Sequence, residues 1–101
     1  MLKKYKISFF EQSLSKLYVR SIEIDSDGLH ECFVFWGVEE IRSPTQFQSD
    51  GEIKSMNSEN KLCKKFEFSS SNQACVFAVS WEKGRCRDFP EVSRVKFIPQ
   101  D

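Results

Sequence analysis

Three groups of side chains in this 101-residue chain have types and spacings that chemistry could use. The first is His30 with Cys32, two positions apart in "LHECFVFW". A Cys–His nucleophile needs hydrogen-bond contact and a third group to orient the base. On a strand, positions i and i+2 share a face but sit roughly 6.5–7 Å apart along the chain, too far for direct contact. Val34 and Trp36 continue that face, so it reads as packing surface rather than catalytic machinery. The second group is a run of carboxylates: Glu23, Asp25, Asp27, Glu31, Glu39 and Glu40. "DSD" at 25–27 lacks the rest of a calcium loop, so metal binding is not expected. These acids flank "CFVFWG", and an aromatic anchor ringed by acids is a good contact for a cationic protein. Trp36 is the expected anchor. The third group lies in "WEKGRCRDFPE", residues 81–91. Trp81, Lys83, Arg85 and Arg87 there form a weak version of the charge-plus-stacking pattern used on single-stranded nucleic acid. Gly84 and Pro90 mark the same stretch as a solvated connection between two strands.

Composition narrows what these groups can do. Hydrophobic residues are 40% and charged residues 30% of the chain, the balance of a folded domain rather than a disordered one. Ten Phe, two Trp and two Tyr supply a core, each removing roughly 150–250 Å² from water when buried. Net charge is zero but uneven. Residues 1–20 hold five bases and one acid, 21–60 two bases and nine acids, 61–101 eight bases and five acids. A neutral chain with an acidic middle suits a basic protein partner better than a phosphate backbone, which needs a coherent basic face. Cys32, Cys63, Cys75 and Cys86 lie no closer than eleven positions apart, and there is one His. Zinc sites usually contain a close ligand pair, so no metal or other cofactor is expected, and the thiols read as small buried hydrophobes. "MLKKYKISFF" has no apolar run long enough for an export signal or a membrane span, which points to the cytoplasm. No phosphate loop, dinucleotide fingerprint, nucleophile elbow or zinc-protease helix occurs, so an enzyme is not expected.

The elements that would position these groups follow from period-two alternation. Tyr5, Ile7 and Phe9 alternate with lysines and Ser8. "LYVRSIEID" (17–25), the turn "SDG" (26–28) and "LHECFVFW" (29–36) form a hairpin, with Gly28 free to take positive φ. "KLCKKFEFS" (61–69) puts Leu62, Lys64, Phe66 and Phe68 on one face. "QACVFAVSW" (73–81) puts Cys75, Phe77, Val79 and Trp81 on one face, and "EVSRVKFIP" (91–99) closes the chain. Residues 10–19 fit either a short helix or a hairpin turn. Residues 43–60 read as a short hairpin about the second "SDG" (49–51), or as a long exposed loop. The fold class expected is mainly β: one domain, an antiparallel sandwich or partly open barrel. Its core is Ile7, Phe9, Val19, Phe33, Phe35, Phe66, Phe68, Phe77, Val79, Val95 and Phe97.

In size, β-rich alternation, aromatic content and acidic middle segment, the chain resembles the small bacterial immunity proteins that neutralise contact-dependent or colicin-like toxins. The resemblance implies a non-enzymatic blocker, whose acids pair with the bases of a nuclease cleft while a few aromatics fix the register. The competing expectation is a nucleic-acid-binding β-barrel using the 83–87 bases, or a subunit of a larger assembly.

Overall fold

The computed structural model describes residues 2–59, 61–71, 74–89 and 94–99, apart from the side chains of Phe9 and of 88, 89 and 94–99. The fold is mainly β, two antiparallel sheets sharing one core. In chain order the strands are β1 (Lys3–Glu11), β2 (Lys16–Ile24), β3 (His30–Trp36), β4 (Glu40–Arg42), β5 (Gln46–Ser49), β6 (Ile53–Asn57), β7 (Lys64–Phe68), β8 (Cys75–Ala78), β9 (Ser80–Phe89) and β10 (Arg94–Pro99). The larger sheet has the order β10-β9-β3-β2-β1-β5, and the smaller has β4-β8-β7-β6.

The β2–β3 hairpin forms where "SDG" predicts it. Gly28 takes φ 75°, a conformation that costs a residue without a Cβ little. The Asp25 carboxylate accepts the amides of Asp27 and Leu29 at 2.8 and 3.0 Å, which ties the turn. Leu17 faces Phe35 and Val19 faces Phe33 across the pair. These four, with Tyr5 from β1, turn inward onto Phe66, Phe68, Val76 and Ala78 of the smaller sheet. The core is aromatic at its centre. Phe33 meets Phe68 edge-on with centroids 5.2 Å apart, and Phe47 lies 4.8 Å from Phe68. Such pairs add about 0.5–1.5 kcal/mol each beyond their buried area.

The structure corrects several expectations. Residues 10–19 form the hairpin turn, one of their two readings, and contain no α-helix. A single 3₁₀ turn (Gln12–Leu14) joins β1 to β2, and Ser15 takes the left-handed conformation that ends it. The second "SDG" makes an arch rather than a hairpin: β5 pairs with β1 in one sheet and β6 with β7 in the other. Residues 73–81 are not one strand. The chain bends at Val79, whose amide bonds the Trp36 carbonyl, and passes from the smaller sheet to the larger. The face pointing into the core is therefore the small one, Ala74, Val76 and Ala78, because the aromatic rings opposite fill the space. Phe77 lies half-buried on the outer side beneath Arg42, and Val79 is 58% exposed. Leu62 precedes β7 and is 82% exposed rather than packed with Phe66 and Phe68. Ile7, Val19, Phe33, Phe35, Phe66 and Phe68 pack as expected. Phe9, Val95 and Phe97 fall outside the described side chains.

The largest correction concerns residues 81–91. The stretch up to Phe89 is no loop but the ten-residue strand β9, paired with β3 on one side and β10 on the other. Pro90 and Glu91 lie outside the described residues. No helix among the described residues is long and apolar enough to cross a membrane.

Candidate functional site

The β3–β9 register decides what the charged groups can do. Glu31 lies opposite Arg85, Phe33 opposite Lys83, Phe35 opposite Trp81. The acidic group and the basic group that read as rival sites in the sequence are thus neighbours on one sheet face. Alternation places Glu31, Phe33 and Phe35 of β3 with Trp81, Lys83, Arg85 and Arg87 of β9 on the inward side.

At the β2–β3 turn end of that face the charges interlock. Glu31 is the hub. Its carboxylate accepts from Lys3 Nζ at 3.2 Å and from the Tyr5 hydroxyl at 3.0 Å, and Lys83 Nζ lies 3.2 Å from its other oxygen. Burial alone would raise the Glu31 carboxyl, but the lysines and the phenol hold it below its ordinary value. Burial pushes the Tyr5 hydroxyl far up, and the Glu31 carboxylate adds to the rise, so the phenol keeps its proton and donates it. The Lys83 ammonium also sits 5.7 Å over the Phe33 ring. Arg85 reaches across to the hairpin turn, with Nη1 3.2 Å from Asp25 and 3.1 Å from Asp27. Amide hydrogen bonds from Leu29 and Asp27 and the Arg85 guanidinium hold Asp25 below its ordinary value against a smaller opposing desolvation.

The arch completes this end. Gly51 has φ 86°, and a Cβ there would stand 2.7 Å from the Tyr5 hydroxyl and 3.2 Å from Glu31 Oε1. Only glycine meets both demands, the positive φ and the close approach. Asp50 and Glu52 flank it, both acting on Tyr5 through their charge. Asp50 accepts the Glu52 amide and the Ser70 hydroxyl, and these hydrogen bonds draw its carboxyl down. The end as a whole gathers Glu23, Asp25, Asp27, Glu31, Asp50 and Glu52 against Lys3, Lys83, Arg85 and Arg87. Among the described side chains acids are in the majority, and three of the four bases are already paired. Sequence reasoning missed Lys3, Tyr5, Gly51, Asp50 and Glu52. The signal for Gly51 was the turn tripeptide itself, but nothing local shows that the arch folds back onto β1.

The other predicted residues go elsewhere. Trp36 ends β3 six residues from His30, about 20 Å away at strand rise, and on the opposite sheet face from Glu31. It is half-buried, and Lys16 Nζ is held between it and Tyr18, 5.4 and 5.6 Å from the two ring centres. Glu39 accepts a hydrogen bond from the buried Cys63 thiol, and Glu40 pairs with Arg42 on the smaller sheet. No single surface therefore holds Trp36, Glu39 and Glu40 together with the turn acids.

Neither cysteine setting builds a nucleophile. Cys32 is fully buried on the outer face, and His30 Nδ1 lies 3.2 Å from Arg20 Nη1; a guanidinium only donates, so that nitrogen accepts. Cys75 floors an outer groove of about 570 Å³ on the smaller sheet, lined by Arg42, Ser43, Pro44, Lys65, Glu67 and Ser71. Burial raises the Cys75 thiol against the pull of Lys65 and Arg42, and the thiolate is the nucleophilic form. Arg42 is matched by Glu40, and Lys65 lies 3.9 Å from Glu67. All four cysteines are free and buried, and no cluster of three metal-ligating side chains occurs among the described residues. No protein-family model, curated protein or solved structure matches the chain.

Proposed function

We propose that this chain is a small protein-binding module of the immunity or inhibitor type, acting without enzymatic chemistry of its own. It meets a basic partner through the acid-rich end formed by the β2–β3 turn and the 49–52 arch. One observation carries the reading: two segments distant in sequence converge there, and among the described side chains their carboxylates outnumber the bases beside them. Lys3 and Lys83 hold the hub and Arg85 holds the turn, which leaves Glu23, Glu52 and the exposed side of Asp27 to face solvent. A pre-ordered acidic rim speeds encounter with a cationic surface and discourages anionic competitors. Such a rim would plug a nuclease cleft by matching its bases.

The test is capture of partners from the protein's own cell, with the wild type beside Glu23→Lys and Asp27→Lys. The reading expects a basic protein to be retained by the wild type. It also expects its association to slow in both variants, with a weaker dependence on salt, because rim charges act chiefly on the encounter. Retention of the same partner with unchanged kinetics by both variants would overturn it.

A further inference from the structure

We propose that the outer face of the larger sheet, where β5, β1 and β2 lie side by side, binds single-stranded nucleic acid. The alternation of β1 and β2 sorts the five bases of residues 1–20 between two faces. Tyr5 is wholly buried, so its parity points inward, and Lys3 on the same side goes to Glu31. Lys4 and Lys6 therefore point outward. Leu17 and Val19 are buried in the shared core, so Lys16 and Arg20 point outward as well. Four bases from a short segment thus reach one side of one sheet. Register brings them together: Lys6 lies opposite Arg20 on β2 and opposite Gln46 on β5, and Lys4 lies opposite Gln48. Along β1 the two lysines stand about 6.6 Å apart, and neighbouring strands add about 4.8 Å. The result is a small grid of cations edged by two exposed amides.

Acids are absent from the outward positions of β5, β2 and the first half of β1. Among the described side chains the acids of this face, Glu11 and Glu82, lie toward the Trp36 end, beside Lys16 and opposite Val34. Neither Lys4 nor Lys6 forms an ion pair among the described residues. Arg20 is already engaged with His30 and the Ser21 carbonyl, and it serves chiefly as fixed positive charge. At the far end, half-buried Trp36 with Lys16 offers an aromatic margin. A double helix is a poor match, because reading a major groove takes a helix or a two-stranded ribbon. A row of lysines and glutamines along the β1–β5 edge, beside the buried Tyr18–Val34 cluster, suits an extended strand, whose phosphates meet the cations and whose base edges meet the amides. This surface faces away from the acid-rich end, so its function stands or falls separately.

The experiment uses the full chain and a fluorescein-labelled oligothymidylate, followed by anisotropy at increasing salt. With about three cations engaged, log K should fall against log salt with a slope near −2, since a single strand contributes about −0.7 per cation. Lys4→Ala and Lys6→Ala should each shallow the slope by about 0.7 and weaken binding several-fold at low salt. Lys54→Ala and Lys64→Ala, on the smaller sheet, should leave both unchanged. Melting curves for every variant guard against unfolding. Absence of low-salt binding overturns the proposal. So does binding indifferent to Lys4 and Lys6, a preference for duplex, or binding to phosphatidylserine vesicles in place of the oligonucleotide.

Discussion

The two faces of the larger sheet treat charge in opposite ways. On the inward face, Lys3, Lys83 and Arg85 are each clasped by a carboxylate, and Glu31 is held by three donors at once. On the outward face, Lys4 and Lys6 stand two residues apart with no acid opposite them. Lys3 shares β1 with Lys4 and Lys6. Between these three the difference lies in parity, since a strand sends odd and even positions to different sides. A charge profile along the chain therefore says little about a charge profile on the surface. The +4 opening segment and the −7 middle segment partly cancel through Lys3 and Glu31, while the remaining opening charge collects elsewhere.

The contrast can be broken most forcefully at the core the inward face rests on. Phe68→Ala removes a ring that touches Tyr5, Phe33, Phe35 and Phe47. It should cost about 3–5 kcal/mol, a large share of the stability of a domain this size. Urea unfolding monitored by tryptophan fluorescence measures it, and a loss under about 1 kcal/mol would contradict the packing described. Gly51→Ala comes next. It combines a strained φ with a collision at Tyr5 and Glu31 and should cost about 1–3 kcal/mol, whereas Gly28→Ala, with the same sign of φ and nothing within 4 Å, should cost less.

Glu31→Gln sharpens the electrostatic half of the contrast. The carboxyl is held below its ordinary value of 4.5, so its ionised form favours the folded state. That contribution is complete above the unfolded value and is lost as pH falls through the lower folded value. The wild type should lose melting temperature on acidification below about pH 4.5, and the Gln variant should show a shallower loss there. Equal profiles would mean that the hub carries no linkage. The smallest effect belongs to the outward face: Lys4→Ala should change stability by no more than about 0.5 kcal/mol, since it breaks no ion pair among the described residues.

Much of the fold was legible in the sequence, for physical reasons. The β2–β3 hairpin announces itself by alternation on both arms and by Gly28 at the one position that needs positive φ. Phe66 and Phe68 read correctly because they alternate with Glu67 and Lys65. β9 misread as a loop because its inward positions, Lys83 and Arg85, are charged, and because Gly84 looked like a turn. Those bases sit at the open end of the face, where Glu31 and the turn acids Asp25 and Asp27 pair with them, and no local pattern reveals a partner some fifty residues away. The arch at 49–51 misread for the same reason: a turn tripeptide specifies a bend, not which sheet receives each arm. Trp36 was placed among the acids by proximity in sequence, but six residues of strand and the change of face carry it away from them.

The most direct test of the account is a charge-reversal comparison on the captured basic partner, with association rates measured for the wild type, the Glu23→Lys/Asp27→Lys double variant and the Lys4→Glu/Lys6→Glu double variant. Association should be at least about tenfold slower for the first double variant, and at the wild-type rate or faster for the second. A result in which the outward lysines govern the rate and the turn acids do not would contradict it.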